Sequence, residues 1–190
     1  MRKFVPAYEG NLRKHALSVP RCISECSGIR VFGRRIKSLV FSTDVAIIKN
    51  INADAIIAVY PFTPQPAITQ AIIGVSEVPV FCGVGGGLTN GVRSASMAAY
   101  VEHQGAYGVV CNSKIGVDTI RAIKEAVEIP VVYTVISENT DIQPYLTAGV
   151  DIINVSGAAR TPEIVGTLRQ RYPELPIIAT GGPTEESILA

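Results

Sequence analysis

Short apolar runs recur along the chain in two alternating phases. One phase opens with an acid, an aliphatic residue and a proline: Glu77-Val78-Pro79-Val80-Phe81, Glu128-Ile129-Pro130-Val131-Val132 and Glu174-Leu175-Pro176-Ile177-Ile178. The other reads Ala53-Asp54-Ala55-Ile56-Ile57-Ala58-Val59, Ala106-Tyr107-Gly108-Val109-Val110-Cys111 and Gly149-Val150-Asp151-Ile152-Ile153-Asn154-Val155. The runs are rich in β-branched side chains and apolar at successive positions, which predicts parallel strands buried on both faces. A proline at the first strand position removes no ladder donor.

Between the runs the apolar period lengthens to that of a helix. Ile115, Thr119, Ile120, Ile123 and Val127 share one face, with Arg121, Lys124 and Glu125 elsewhere. Ile164, Leu168 and Tyr172 share another, opened by Thr161-Pro162-Glu163: a capping residue, a proline at the first helical position and an acid in the first turn. With Ser38 to Ser42 as the first, strands are expected near 38–42, 55–60, 79–83, 107–111, 130–136, 151–155 and 176–179. Strands alternating with helices predict a parallel sheet, and a two-unit repeat of about 50 residues is the quarter symmetry of a (β/α)8 TIM barrel.

Seven strand-helix units are visible, and the segment Pro183 to Ala190 opens a helix where an eighth strand must come next. The expected fold class is therefore α/β, a TIM barrel incomplete in this chain, its eighth strand supplied by a longer gene product or by another chain. The rival is an open doubly wound sheet of six or seven strands. Residues 1–35 stand outside the unit as an N-terminal extension or hairpin, with a short strand from Ile29 to Phe32 that pairs in a hairpin or plugs the barrel's N-terminal end. Residues 36–190 form the barrel domain, truncated at its C-terminal end.

Composition narrows the partners. Lys+Arg 17 against Asp+Glu 16 leaves a net charge of +1, which suggests neither nucleic acid nor an anionic membrane. Charged residues make up 17% of the chain, below the roughly 25% usual in soluble proteins, as suits a sheet covered on both faces. The longest uncharged stretch, Ala55 to Ser76, is broken by Pro61, Pro64 and Pro66 and does not read as a membrane span. The N-terminus lacks the apolar run of a signal peptide, and four cysteines are too few for a disulfide scaffold, so a cytoplasmic protein is expected. A homo-oligomer remains open.

Chemistry in a parallel barrel belongs at the carboxyl ends of the strands. The strongest motif there is Ala179-Thr180-Gly181-Gly182-Pro183-Thr184-Glu185-Glu186. Gly181 and Gly182 let backbone N–H groups approach an anion, the helix opening at Pro183 aims its free N–H groups at the same point, and Thr184 adds a hydroxyl. A phosphorylated small molecule is the expected ligand, with Asn154, Ser156 and Gly157 behind the sixth strand and Arg160 as a supporting cation. Asp44, Glu138 and Lys114 are the catalytic candidates. The two carboxylates are the ones close behind strand ends, and a general base is either of them or a thiolate of Cys82 or Cys111. Asp44 equally reads as a helix cap, and Lys114 as a solvated lysine.

The glycine-rich run Gly83 to Gly91 has Leu88 where the third glycine of a dinucleotide fingerprint would fall, so it reads as a mobile loop or a close backbone approach to a ligand. No metal is expected, because Cys22 and Cys26 have no second ligand pair and His15 and His103 have no partner at metal spacing. Neither histidine lies at a strand end, so no Ser-His-Asp set assembles. No cofactor is required, with flavin mononucleotide (FMN) as an alternative ligand of the phosphate site in a barrel oxidoreductase.

The stretch from Ala148 to Val155 through Tyr172 to Gly182 resembles the corresponding strands of phosphate-binding TIM barrels, in particular N-acetylmannosamine-6-phosphate epimerases and the inosine-monophosphate dehydrogenase group. The resemblance implies isomerase, epimerase or aldolase-type (lyase) proton chemistry on a phosphorylated substrate. The epimerases use a strand-borne lysine that this chain lacks. Ser156-Gly157-Ala158-Ala159 stands where the dehydrogenases carry a loop cysteine, which excludes that activity. Gly87-Leu88-Thr89-Asn90 followed by Gly108 to Lys114 is also similar to the glycerol-3-phosphate-responsive antiterminators. That second resemblance implies a non-enzymatic metabolite sensor acting through RNA, with Arg30, Arg34, Arg35 and Lys37 as its basic contact.

Overall fold

The computed structural model describes residues 3–8, 17–181 and 184–189. A 3-10 turn (Arg21–Glu25) leads into an antiparallel hairpin of β1 (Ile29–Val31) and β2 (Arg34–Ile36). Strands and helices then alternate: β3 (Leu39–Phe41), α1 (Val45–Asn50), β4 (Ala55–Ala58), α2 (Pro66–Val75), β5 (Val80–Gly85), α3 (Val92–His103), β6 (Gly108–Cys111) and α4 (Val117–Ala126). They continue as β7 (Val131–Val135), α5 (Gln143–Thr147), β8 (Ile152–Val155), α6 (Thr161–Arg171), β9 (Ile177–Ala179) and α7 (Glu185–Leu189). The strands from β3 to β9 pair in chain order, each parallel to the next. A doubly wound sheet reverses its order at a switch point. This one does not; it curls into an incomplete TIM-barrel-like fold of seven strands, with β3 and β9 at its edges.

The two-phase repeat has a hydrogen-bonding cause. Each proline that opens a strand turns its carbonyl to the preceding strand: Pro79 accepts from Ile56 N–H at 2.8 Å, Pro130 from Val109 at 3.0 Å and Pro176 from Ile153 at 3.0 Å. The prolines thus contribute an acceptor at the one ladder position where a missing donor costs nothing. The aspartates of the other phase reach sideways. Asp54 Oδ2 accepts the N–H groups of Lys37 (2.9 Å) and Ser38 (3.1 Å), and Asp151 Oδ2 accepts that of Val131 (2.9 Å). Both lie at the N-terminal end of the sheet, where first-residue donors have no partner within the ladder.

Alternate strand residues divide between two cores. Ile56, Val80, Cys82, Val109, Val131, Tyr133 and Ile153 face the helices, with Ile72, Ile120, Ile123, Ile164 and Leu168 packed on them. Ala55, Ile57, Phe81, Val110, Val132, Ile152 and Ile178 face inward. Val31 and Ile36 of the hairpin join that inner cluster and cover the N-terminal end of the strands. Phe32, at the hairpin tip, stacks edge-on against Tyr107 with ring centroids 5.3 Å apart. A Cβ at Gly108 would lie 2.5 Å from the Phe81 ring, so the glycine is what admits that ring. With aromatic and aliphatic groups filling this end, the polar part of the inner face lies at the opposite, C-terminal end.

One expected helix start is corrected. Thr161 does not cap α6; it is the helix's first residue, preceded by a 3-10 turn (Ala158–Arg160), and its Oγ1 accepts the Gly157 N–H at 3.0 Å. The incoming turn carries the chain straight into the helix, so the hydroxyl serves the loop's donor instead of the helix's own.

Candidate functional site

The upper inner face carries a row of neutral polar groups. Thr134 on β7 and Asn154 on β8 are register partners, two positions beyond inward-facing Val132 and Ile152, so both point inward. Asn154 Nδ2 donates to Thr134 Oγ1 and Asn154 Oδ1 accepts from Thr180 Oγ1, each at 3.3 Å. At 1% exposure, Asn154 is held by these contacts, since a buried amide without partners is costly. Thr180, just beyond β9, is tied to β8 by its N–H to Val155 O at 2.9 Å.

The opposite side of the mouth is built from backbone. Gly85 and Gly86 end β5 and begin a turn in which Gly86 N–H donates to Thr89 O at 2.8 Å, while buried Ser94 donates its hydroxyl to the same carbonyl at 3.0 Å. The loop makes the close approach that its glycines suggest, and what approaches are the protein's own side chains. A Cβ at Gly86 would fall 1.8 Å from Asn112 Oδ1, and one at Gly85 2.1 Å from Ser94 Oγ. Asn112 Oδ1 in turn accepts the Lys114 N–H at 2.9 Å. Tyr133 and Tyr145 brace this β6–α4 loop from the helix side. Their rings stack 4.0 Å apart, and their hydroxyls donate to Ser113 O (3.3 Å) and Ile115 O (3.1 Å). Burial, then the Tyr145 hydroxyl, drives the Tyr133 phenol far above its ordinary range.

Asp44 is the N-cap of α1: its Oδ1 accepts from Ala46 N–H at 2.8 Å and from Ile47 N–H at 3.2 Å. Glu138 and Arg160, on the loops after β7 and β8, form an ion pair in which Arg160 Nη1 lies 2.7 Å and 2.8 Å from the two carboxylate oxygens. Lys114 is exposed and its side chain makes no protein hydrogen bond among the described residues. Ser156, also exposed, is fixed by its N–H to Val135 O at 2.8 Å. Gly157 packs under α6, where a Cβ would meet Ile164 at 2.5 Å.

Gly181 is exposed beyond β9; Gly182, with Pro183, lies outside the described residues. Thr184 precedes α7, exchanging hydrogen bonds with Ser187: its N–H donates to Ser187 Oγ (3.1 Å), and Ser187 N–H donates to Thr184 Oγ1 (3.3 Å). The Glu186 carboxyl is held below its ordinary range, first by its own backbone N–H and then by the Thr184 hydroxyl, which puts a negative charge at this helix start.

The thiolate option for a general base falls away. Cys82 and Cys111 both lie in the helix-side core, and burial pushes each thiol up to about 12. Among the described residues no three His, Cys, Asp or Glu side chains gather as a metal site, and no helix is long and apolar enough to cross a membrane. Sequence reasoning passed over Thr134 and the two tyrosines. Thr134 had a signal: it is a polar residue near the end of an apolar run, at the position where the next strand places Asn154.

No protein-family profile matches the chain, and no curated protein matches it in sequence. Solved structures do match in fold. A phosphonopyruvate hydrolase complexed with oxalate and Mg++ superposes with a TM-score of 0.60 at 15% identity, over 75% of this chain and 66% of that one. QR15, an aldolase, gives 0.58 at 13% identity, over 80% and 82%. A protein assigned as a deoxyribose-phosphate aldolase from Coccidioides immitis gives 0.53 at 13% identity, over 77% and 71%. The chain thus spans just under two thirds of the hydrolase's length. At these identities the likeness establishes the TIM-barrel-like fold and nothing of the chemistry.

Proposed function

We propose that this chain binds a small phosphorylated metabolite across the C-terminal mouth of its sheet and acts on it as an isomerase, epimerase or aldolase-type enzyme. The observation that carries this reading is the inward row Thr134, Asn154 and Thr180, which puts uncharged donors and acceptors beneath the loops that follow β7, β8 and β9. The phosphate is taken by Gly181, Gly182 and Thr184, with Arg160 as the supporting cation that offsets the ionised Glu186 at the same helix start, and the body of the ligand lies over Asn154, Ser156 and Gly157. The names of two fold neighbours, phosphonopyruvate hydrolase and deoxyribose-phosphate aldolase, support a ligand of this class.

Proton transfer falls to Lys114, Glu138 or Asp44. Asp44 serves only by leaving two backbone donors, and Glu138 only by leaving Arg160. That engagement of both carboxylates favours a second reading, in which the mouth senses a phosphorylated metabolite without turning it over.

Calorimetric titration with inorganic phosphate and a panel of sugar phosphates tests the binding. Gly181→Asp, which adds a negative charge, abolishes it, whereas Gly181→Ala, which makes the same Cβ contact to Ile188, retains it. Equal affinity in both variants removes Gly181 from the site. Exchange of substrate C–H protons in deuterated water separates the two readings, since a sensor binds without accelerating it. A yellow colour on purification marks FMN as the ligand instead.

A further inference from the structure

The ion pair between Glu138 and Arg160 joins two loops of the mouth, and both ends are braced. On the Glu138 side, Thr140 N–H donates to Ser137 O at 3.1 Å and Asn139 N–H to Ser137 Oγ at 3.3 Å. On the Arg160 side, the chain passes through Ala158 at φ 52°, a left-handed conformation that L-residues other than Asn and Asp rarely adopt. Arg160 N–H to Gly157 O at 3.1 Å and Gly157 N–H to Thr161 Oγ1 at 3.0 Å lock that turn. The turn so held fixes the direction in which Arg160 leaves the loop.

The ion pair itself contributes little to stability. The Arg160 side chain is 53% exposed and the Glu138 side chain 29%, and pairs so open to water are weak. Only Nη1 of Arg160 meets the carboxylate; Nε and Nη2, the edge suited to a two-pronged grip on an oxyanion, have no protein partner among the described residues.

We propose that Glu138 is an internal competitor for the anion subsite: Arg160 pairs with Glu138 through Nη1 alone in the empty protein, and an arriving anion takes the free Nε–Nη2 edge and draws the guanidinium away from the carboxylate. The proposal rests on the reading of the mouth as an anion site. Its consequence is a coupling. The exchange that admits the ligand also frees the Glu138 carboxylate, so the candidate base becomes available only when the site is filled. Glu138 also sets charge selectivity, because a dianionic phosphate outcompetes the resident carboxylate at a guanidinium where a monoanionic carboxylate does not.

Titration of the full chain with inorganic phosphate at fixed ionic strength, and with acetate as the monoanion, tests this. Glu138→Gln tightens phosphate binding about fivefold and narrows the preference for phosphate over acetate, as removal of a competing rim charge should. Arg160→Gln weakens phosphate binding by about tenfold, and adding Glu138→Gln in that background changes nothing further. Thermal melts of each variant confirm that the fold is kept. Weakening by Arg160→Gln without tightening by Glu138→Gln overturns the competition while leaving the phosphate reading intact. Tightening by Glu138→Gln that persists without Arg160 also overturns it. Absence of phosphate binding in both the natural chain and Glu138→Gln overturns the phosphate reading and the competition with it.

Discussion

Asp151 Oδ2 lies 2.8 Å from Lys124 Nζ and at the same time accepts the Val131 N–H at 2.9 Å, so one oxygen ties a helix and a strand start together. Asp54, two strand pairs earlier, holds a strand start without a helix partner: its Oδ2 accepts the Lys37 and Ser38 N–H groups, and Ser38 returns the contact by accepting the Asp54 N–H at 2.9 Å. Both side chains of the Asp151–Lys124 pair are partly open to water, at 39% and 34%, so most of the value lies in the backbone donor and not in the charge pair. Asp151→Ala therefore lowers unfolding free energy by about 1–2 kcal/mol, and Asp54→Ala by a similar amount. Urea denaturation measures both; losses no larger than those of ordinary surface alanines contradict the clamp.

Asn154 links two hydroxyls that flank it, Thr134 on β7 and Thr180 just beyond β9. Asn154→Ala leaves Thr134 and Thr180 without that partner and is expected to cost roughly 1–2 kcal/mol of stability. On the proposed reading it is also expected to weaken the binding of phosphorylated ligands, because the floor of the mouth loses its central amide. A variant that is destabilised but binds unchanged places the ligand elsewhere.

Ala158 adopts a conformation natural to glycine. Ala158→Gly relieves the strain and raises stability by about 1 kcal/mol, less the backbone entropy that glycine loses on folding. The melting temperature reads the gain. The added freedom at the Arg160 turn should at the same time reduce phosphate affinity, the opposite direction.

The thiols divide sharply by accessibility. Cys26 is exposed, whereas Cys82 and Cys111 are buried with their ionisation raised from 9.0 to about 12. At pH 8 a thiol reagent reacts rapidly with Cys26 and with Cys82 or Cys111 only on the timescale of unfolding. Above pH 9 the unfolded chain ionises both thiols while the folded chain keeps them protonated, so their stabilising effect, full below pH 9, declines up to about 12. Replacing both cysteines with alanine should make that alkaline decline shallower, leaving the part that the buried Tyr133 phenol contributes; an unchanged decline contradicts the assignment.

All seven strands of the sheet lie where the sequence places them, with ends shifted by a few residues: 130–136 contracts to Val131–Val135, and 55–60 to Ala55–Ala58. Asp44 was legible as a cap because Ser42-Thr43-Asp44 stands directly before an apolar helical run. The direction of Cys82 and Cys111 was not legible. In a strand buried on both faces every position is apolar, so the period-two pattern that would reveal the side is erased. The Glu138–Arg160 pair is likewise hidden, since its two residues lie 22 positions apart on loops that follow different strands and no local pattern links them.

The alternation of strand and helix is written in the chain itself, because proline, glycine and unbroken β-branched runs restrict the backbone locally. The curl that brings residues 134, 154 and 180 into one row, and sets Glu138 against Arg160, was decided only by tertiary structure. Those contacts join residues 20 to 26 positions apart through parallel pairing, and no local rule ranks one such partner over another.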